Sequence, residues 1–142
     1  MPKFEWIGQQ HAVHVLQVDD EHRALFGLCG DLECAVAADA PIAQIESILD
    51  ELIAHAAEHF SHEERQMRTA GYSHYAWHQR QHHAARARVT RLERRIRRGD
   101  REAAIELLQY MQGWLNDHIA IADRMLGAFL RNHQRQIEAR AS

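Results

Sequence analysis

The chain has 142 residues, with 17 lysines and arginines against 20 aspartates and glutamates, and a formal charge of −3 with histidine neutral. That length suits one domain spanning 1–142 around a single apolar core and leaves no room for a second. The mild acidity gives no general attraction to nucleic acid or membranes, and no apolar run approaches the ~20 residues of a bilayer span.

Residues 1–18 are apolar in places without a sustained helical period, which predicts an irregular arm packed over the domain. Its start, MPKFEWIG, lacks the apolar centre of a secretory signal, so a cytoplasmic location is expected. Asp19 or Asp20 is placed to cap the next helix, predicted over 20–37. There His22, Leu25, Phe26, Cys29, Leu32 and Val36 recur at three and four, forming one stripe. The stretch ADAP at 38–41 breaks it, and Pro41 suits a first helical turn because its missing N–H had no partner there. A second helix over 41–69 carries Ile45, Leu49, Leu52, Ala56, His59, Glu63 and Met67 inward and stops at Gly71. A third over 74–98, capped by Ser73, carries His78, His82, Ala85, Val89, Leu92 and Ile96. Gly99-Asp100 is the clearest turn signal in the chain. A fourth over 101–131 turns Leu108, Met111, Leu115, His118, Ala122, Met125 and Phe129 inward, and the polar tail beyond it is expected to fray. Four such helices joined by short turns predict an all-α, up-down-up-down four-helix bundle.

Two cysteines, Cys29 and Cys34, stand five apart. They cannot face each other on one helix and do not form a C-x-x-C pair, so both are read as free thiols in a reducing cytoplasm. Twelve histidines are the unusual feature of the composition. Histidine-rich chains often bind metal, but arrangement decides the matter. His59 and Glu63 are four apart on an otherwise apolar face, and so are His78 and His82. A glutamate buried there without a partner is very costly, so either the stripe reaches solvent or something positive sits inside. His22 and the pair His118 and Asp123 complete a set drawn from all four helices, although a spacing of five aligns poorly on an α-helix. In an up-down bundle the seven residues fall near one end. Seven donors exceed the needs of one tetrahedral zinc, while neutral imidazole suits iron, zinc and copper and carboxylates suit harder ions. Two carboxylates that each bridge two ions, with a solvent-derived oxygen bridge, fill one ion and leave one position open on the other.

The segments VDDEH at 18–22, HFSHEE at 59–64, HQRQH at 78–82 and WLNDHIAIAD at 114–123 carry a resemblance to the hemerythrin family, specifically its single-domain bacterial members. It extends from about Trp6 to Leu130 and fills every metal-ligand position of the pattern. The resemblance implies two iron ions with an oxo or hydroxo bridge. His78, His82 and His118 would hold the full ion, His22 and His59 the open one, and Glu63 and Asp123 would bridge them. It implies reversible binding of O2 at the open iron, with no substrate consumed. It also implies an apolar wall near that iron, for which Phe60, Trp114, Leu115 and Ile119 are the candidates.

His55 and His62 flank His59 and are read as non-ligands, and His83 points about 100 degrees away from His82. His11, His14, His74 and His133 read as arm or surface residues. The nine arginines from Arg80 to Arg101 read as a solvated face, with docking of an acidic partner as the alternative. The leading function is O2 storage, delivery or sensing, without enzyme turnover as its role. Delivery would need an oxidase partner and sensing a signalling partner. Neither nucleic acid binding nor membrane insertion is expected, and a monomer is. The alternatives are a di-iron enzyme handling Fe(II), peroxide or nitric oxide, and a fold-holding role for the metals. Ferritin-like oxidases favour carboxylate-rich sites with Glu-x-x-His motifs, which five histidines here do not match.

Overall fold

The computed structural model describes residues 4–141. Met1 to Lys3, which begin the expected arm, and Ser142, which ends the expected tail, lie outside the described residues. The helices are α1 (Gly8–His11), α2 (Leu16–Ala37), α3 (Ile42–Ala70), α4 (Tyr75–Arg97), α5 (Arg101–His118) and α6 (Arg124–Ala141), with a π-helical turn, Ile119–Asp123, between the last two. Residues 119 and 124 keep right-handed helical dihedrals, so α5, the π turn and α6 form one rod. Helices α2, α3, α4 and that rod close a four-membered ring of contacts, each packed on the next. This is the expected bundle, and none of its helices among the described residues is long and apolar enough to cross a membrane.

The turns form for local reasons. Gly71 takes a left-handed φ of 68° after α3, and the Tyr72 N–H then reaches back to the Met67 carbonyl at 2.9 Å. Tyr72 also packs on Met67, so the stop is a Schellman motif with its apolar contact. Gly99 at φ 89° turns the chain after α4, and the Asp100 carboxylate caps α5 by accepting the Glu102 and Ala103 N–H groups. The expected Ser73 cap is not formed, because His74 occupies the N-cap position of α4 and no side chain bonds there. Pro41 stands at the N-cap of α3, just before the first turn.

Three expectations are corrected. Helix α2 begins at Leu16 rather than 20, so neither Asp19 nor Asp20 is its N-cap. Asp19 lies in the first turn and reaches backwards, accepting the Val13 N–H at 2.8 Å and the His14 N–H at 3.1 Å. The carboxylate thereby satisfies the loop that precedes the helix and complements the helix dipole. The arm is also less irregular than expected. Its short α1 leads into a strap at Val13 that sits on α6, where Arg131 donates to the Val13 carbonyl and Gly127 leaves room for the backbone. A Cβ at Gly127 would lie 2.6 Å from that carbonyl oxygen. Finally, the tail is helical to Ala141 rather than frayed, since it contains no helix breaker after Gly127 and is rich in good helix formers.

The apolar interior has two parts. A large cluster includes Leu25, Cys29, Leu32, Ile45, Leu49, Leu92, Ile96, Leu107 and Leu115. A small one contains Met67, Tyr72 and Leu126, with Phe129 packed against it. The polar residues His59 and Glu63 lie on α3 between Leu52 of the first cluster and Met67 of the second. A polar layer therefore crosses the bundle toward one end.

Candidate metal centre

Each helix delivers its share of this layer by periodicity. Helix α2 gives His22, α3 gives His59 and Glu63, α4 gives His78 and His82, and α5 gives His118. Asp123 comes from the π turn. A π turn closes i→i+5, so residues five apart are stacked instead of splayed, and the Arg124 N–H reaches the Ile119 carbonyl in that pattern. The spacing of His118 and Asp123, poor on an α-helix, thus becomes a match. The inserted residue also rotates everything after it. Leu126 is fully buried, whereas Met125, expected inward, is 42% exposed.

The structure brings the seven residues together, and none is more than 4% exposed. The Asp123 carboxylate lies 2.9 Å from His22 Nε2 through Oδ2, and 3.1 and 3.2 Å from His78 and His118 Nε2 through Oδ1. Glu63 Oε1 lies 3.1 Å from His82 Nε2, 3.4 Å from His78 Nε2 and 3.6 Å from His59 Nε2. All five rings therefore turn Nε2 inward. The ligand atoms form two groups, one of Glu63, His78, His82, His118 and Asp123, the other of His22, His59, Glu63 and Asp123. Within each group they lie within 4.8 Å of one another, and both carboxylates are shared.

Both oxygens of Glu63 and of Asp123 are buried without a hydrogen-bond partner, as are the Nε2 atoms of His22, His78, His82 and His118. Two buried carboxylates with unmet lone pairs carry a desolvation cost of several kcal/mol each. Cations placed between the oxygens and the imidazole nitrogens would meet all of these needs at once. The imidazoles and carboxylates also shift one another's titration. Burial pulls the His59 and His78 imidazoles down, but Glu63 and its neighbours raise both to about 9. Burial and the charge of Asp123 push Glu63 up, and the surrounding imidazoles more than reverse this, holding it at about 2. Asp123 is held well below the usual carboxylate range, its imidazole neighbours, His118 foremost, overcoming burial.

The outer ring nitrogens are supported in a pattern that runs around the bundle. His59 Nδ1–H donates to Glu21 at 2.8 Å, His82 Nδ1–H to Glu64 at 3.0 Å and His118 Nδ1–H to Gln81 at 2.8 Å. A proton fixed on Nδ1 leaves the inward Nε2 lone pair free, which is the tautomer a metal ligand needs. Sequence reasoning did not find these three. Each directly adjoins a member of the cluster on its own helix, namely His22, Glu63 and His82, and faces the cluster member of the next helix. That adjacency was the signal available.

Aromatic walls complete the site. Phe60 stacks on His82 at 4.1 Å and Trp114 on His118 at 4.3 Å. Leu115 and Ile119 are buried on the same rod. Outside the cluster, His14, His55, His74 and His83 are exposed, and His62 pairs with Glu21. His11 departs from the surface reading. It is buried, accepts the Ile7 N–H through Nδ1 and donates Nε2–H to Asn116, which ties the arm to α5.

A sequence model of the hemerythrin HHE cation binding domain matches residues 13–130, a stretch that holds the entire cluster. The chain belongs to the hemerythrin family. A bacteriohemerythrin of Stenotrophomonas maltophilia is 30% identical over 125 residues, covering 82% of this chain and 80% of its own. A bacteriohemerythrin of Ralstonia nicotianae is 30% identical over 132 residues, covering 92% and 90%. A solved wild-type hemerythrin superposes with a TM-score of 0.82 at 26% identity, over 89% of this chain and 96% of that one. A hemerythrin mutant structure superposes with a TM-score of 0.85 at 25% identity, over 92% and 98%. The hemerythrin fold and the inward imidazole and carboxylate set thus occur together in this chain.

Proposed function

We propose that this hemerythrin-family chain binds molecular oxygen reversibly at a non-haem di-iron centre. The observation that carries the reading is the sharing of Glu63 and Asp123 between two groups of ligand atoms, one richer in imidazole than the other. His78, His82 and His118 would hold one iron and His22 and His59 the other, with Glu63 and Asp123 available to both. The group with fewer imidazoles would leave room for a small exogenous ligand. When bound, the irons supply the electrons that O2 takes up and returns.

The chain's own residues do two things. Glu21, Glu64 and Gln81 fix the tautomer and orientation of three ligand rings. Phe60, Trp114, Leu115 and Ile119 wall the centre with apolar surface. That wall keeps out water and anions, which would favour loss of reduced oxygen and leave an inert ferric site. Two free thiols, Cys29 and Cys34, fit a reducing cytoplasm.

The test is anaerobic reduction of iron-loaded protein followed by O2 addition, watched by absorbance and resonance Raman, with iron counted per chain. Two irons and a charge-transfer band that appears with O2 and disappears on its removal are expected. A one-way bleach, a single iron or absence of bound O2 would overturn the reading. Sustained turnover of added Fe(II), peroxide or nitric oxide would move the chain to the enzyme class.

A further inference from the structure

A cavity of about 630 Å³ lies between the C-terminal half of α3, the strap before α2 and the outer part of α6, and none of the seven cluster residues lines it. It falls within the size range of small-molecule sites. Its charged lining is entirely cationic: Arg65, Arg131 and Arg135, beside His14 and His133 and with no aspartate or glutamate, in a chain whose net charge is −3 with histidine neutral. Among the described residues none of these three arginines has an ion-pair partner, and Arg131 spends one donor on the Val13 carbonyl. A guanidinium carries five donors, so even Arg131 keeps most of its fork. Val15, Ala70, Leu130 and Ile137 give the wall its apolar surface, and Gln66, Thr69 and Gln134 add uncharged polar groups. Ile137 is 47% exposed, an apolar side chain left at the surface beside three cations.

Two further observations mark a built site. Gln66 also lines the cavity, and its side-chain oxygen is buried with no hydrogen-bond partner. An amide can present either end to a ligand, so it offers an unused donor or acceptor beside the cations. The strap is held against strain as well. His14 adopts a φ of 62°, costly for a residue with a Cβ, and the Asp19 carboxylate clamps both its N–H and that of Val13.

We propose that this cavity binds a small amphiphilic carboxylate from solution. Its acid group sits among Arg65, Arg131 and Arg135, and its hydrocarbon part lies on Leu130, Ile137, Val15 and Ala70. Planar guanidinium groups favour carboxylates through paired N–H donors, and the apolar wall selects against a bare inorganic anion. Nothing in this step depends on the oxidation state of the centre.

The test is calorimetric titration of the iron-loaded full chain with decanoate, and in parallel with decanol, inorganic phosphate and phosphatidylglycerol vesicles. One saturable decanoate site per chain is expected. Decanol and phosphate should each bind at least about ten-fold more weakly, since charge and chain are both used. Arg135→Glu and Ile137→Asp should each weaken decanoate about ten-fold or more, one through the charge and one through the wall. Both residues are exposed on α6, so helical circular dichroism should stay unchanged in the variants and confirm that they fold. Unsaturable binding, equal affinity in both folded variants, phosphate as tight as decanoate, or uptake on vesicles without decanoate binding would each overturn the proposal.

Discussion

The π turn makes a quantitative claim about two adjacent residues. If the rod were a regular α-helix in phase with Leu115 and His118, Met125 and Leu126 would flank the inward direction about equally, roughly 50° to either side, and both would be buried. With the turn in place Leu126 is fully buried against Met67 and Tyr72, and Met125 is 42% exposed. Truncating a buried leucine to alanine costs about 2–5 kcal/mol, from lost transfer energy plus the cavity left behind. The small cluster around Leu126 can relax more than a large core, which favours the lower part of that range, about 2–3 kcal/mol. Met125→Ala removes a half-exposed side chain from a helix and replaces it with the best helix former, so a change within about 0.5 kcal/mol is expected. Urea unfolding of both variants in one metal state, with unchanged slopes, measures the difference directly. A Leu126→Ala loss of about 2 kcal/mol beside a near-silent Met125→Ala supports the phase described here. Equal losses, or a larger loss at Met125, would refute it and with it the account of how Asp123 reaches the centre.

Three other outcomes are expected. Glu21→Leu and Gln81→Leu should each weaken iron retention about 10–100-fold in chelator competition, because His59 and His118 lose the partners that fix their rings, with little change in helix content. In the metal-free protein His59 and His78 titrate at about 9, above their ordinary 6.5, so their stabilisation is complete below about 6.5 and is lost as pH rises through 9. Glu63 titrates at about 2, below 4.5, so its contribution is present above 4.5 and is lost as pH falls toward 2. Thermal melts of metal-free protein should therefore peak between these limits. Iron binding, which needs neutral imidazoles, should strengthen with rising pH, and a melting temperature flat from pH 6 to 9 would contradict the assignment. Burial pushes the Cys29 thiol up to about 12 while Cys34 is exposed, so a thiol reagent at neutral pH should count one cysteine in the native protein and two after denaturation.

Much of this protein was legible along the chain. Apolar residues at three and four gave the four bundle helices, Gly71 and Gly99-Asp100 gave their stops, and His59, Glu63, His78 and His82 stood out because polar groups on an apolar stripe demand compensation. These features follow from the local repeat of a helix, which any residue carries in its distance from its neighbours. Relations between helices were not carried that way. Glu21, Glu64 and Gln81 look like ordinary polar neighbours of the cluster until the rotation of each helix turns them toward an imidazole on the next. Asp19 looked like a cap and became a clamp on the strap, since helix α2 starts earlier than its apolar stripe. The pairing of His118 with Asp123, and the outward turn of Met125 beside a buried Leu126, rest on one inserted residue in the helical repeat. Periodicity assumes that repeat is constant. Only the packed bundle, in which the buried Asp123 carboxylate must reach three imidazole neighbours, decides where it changes.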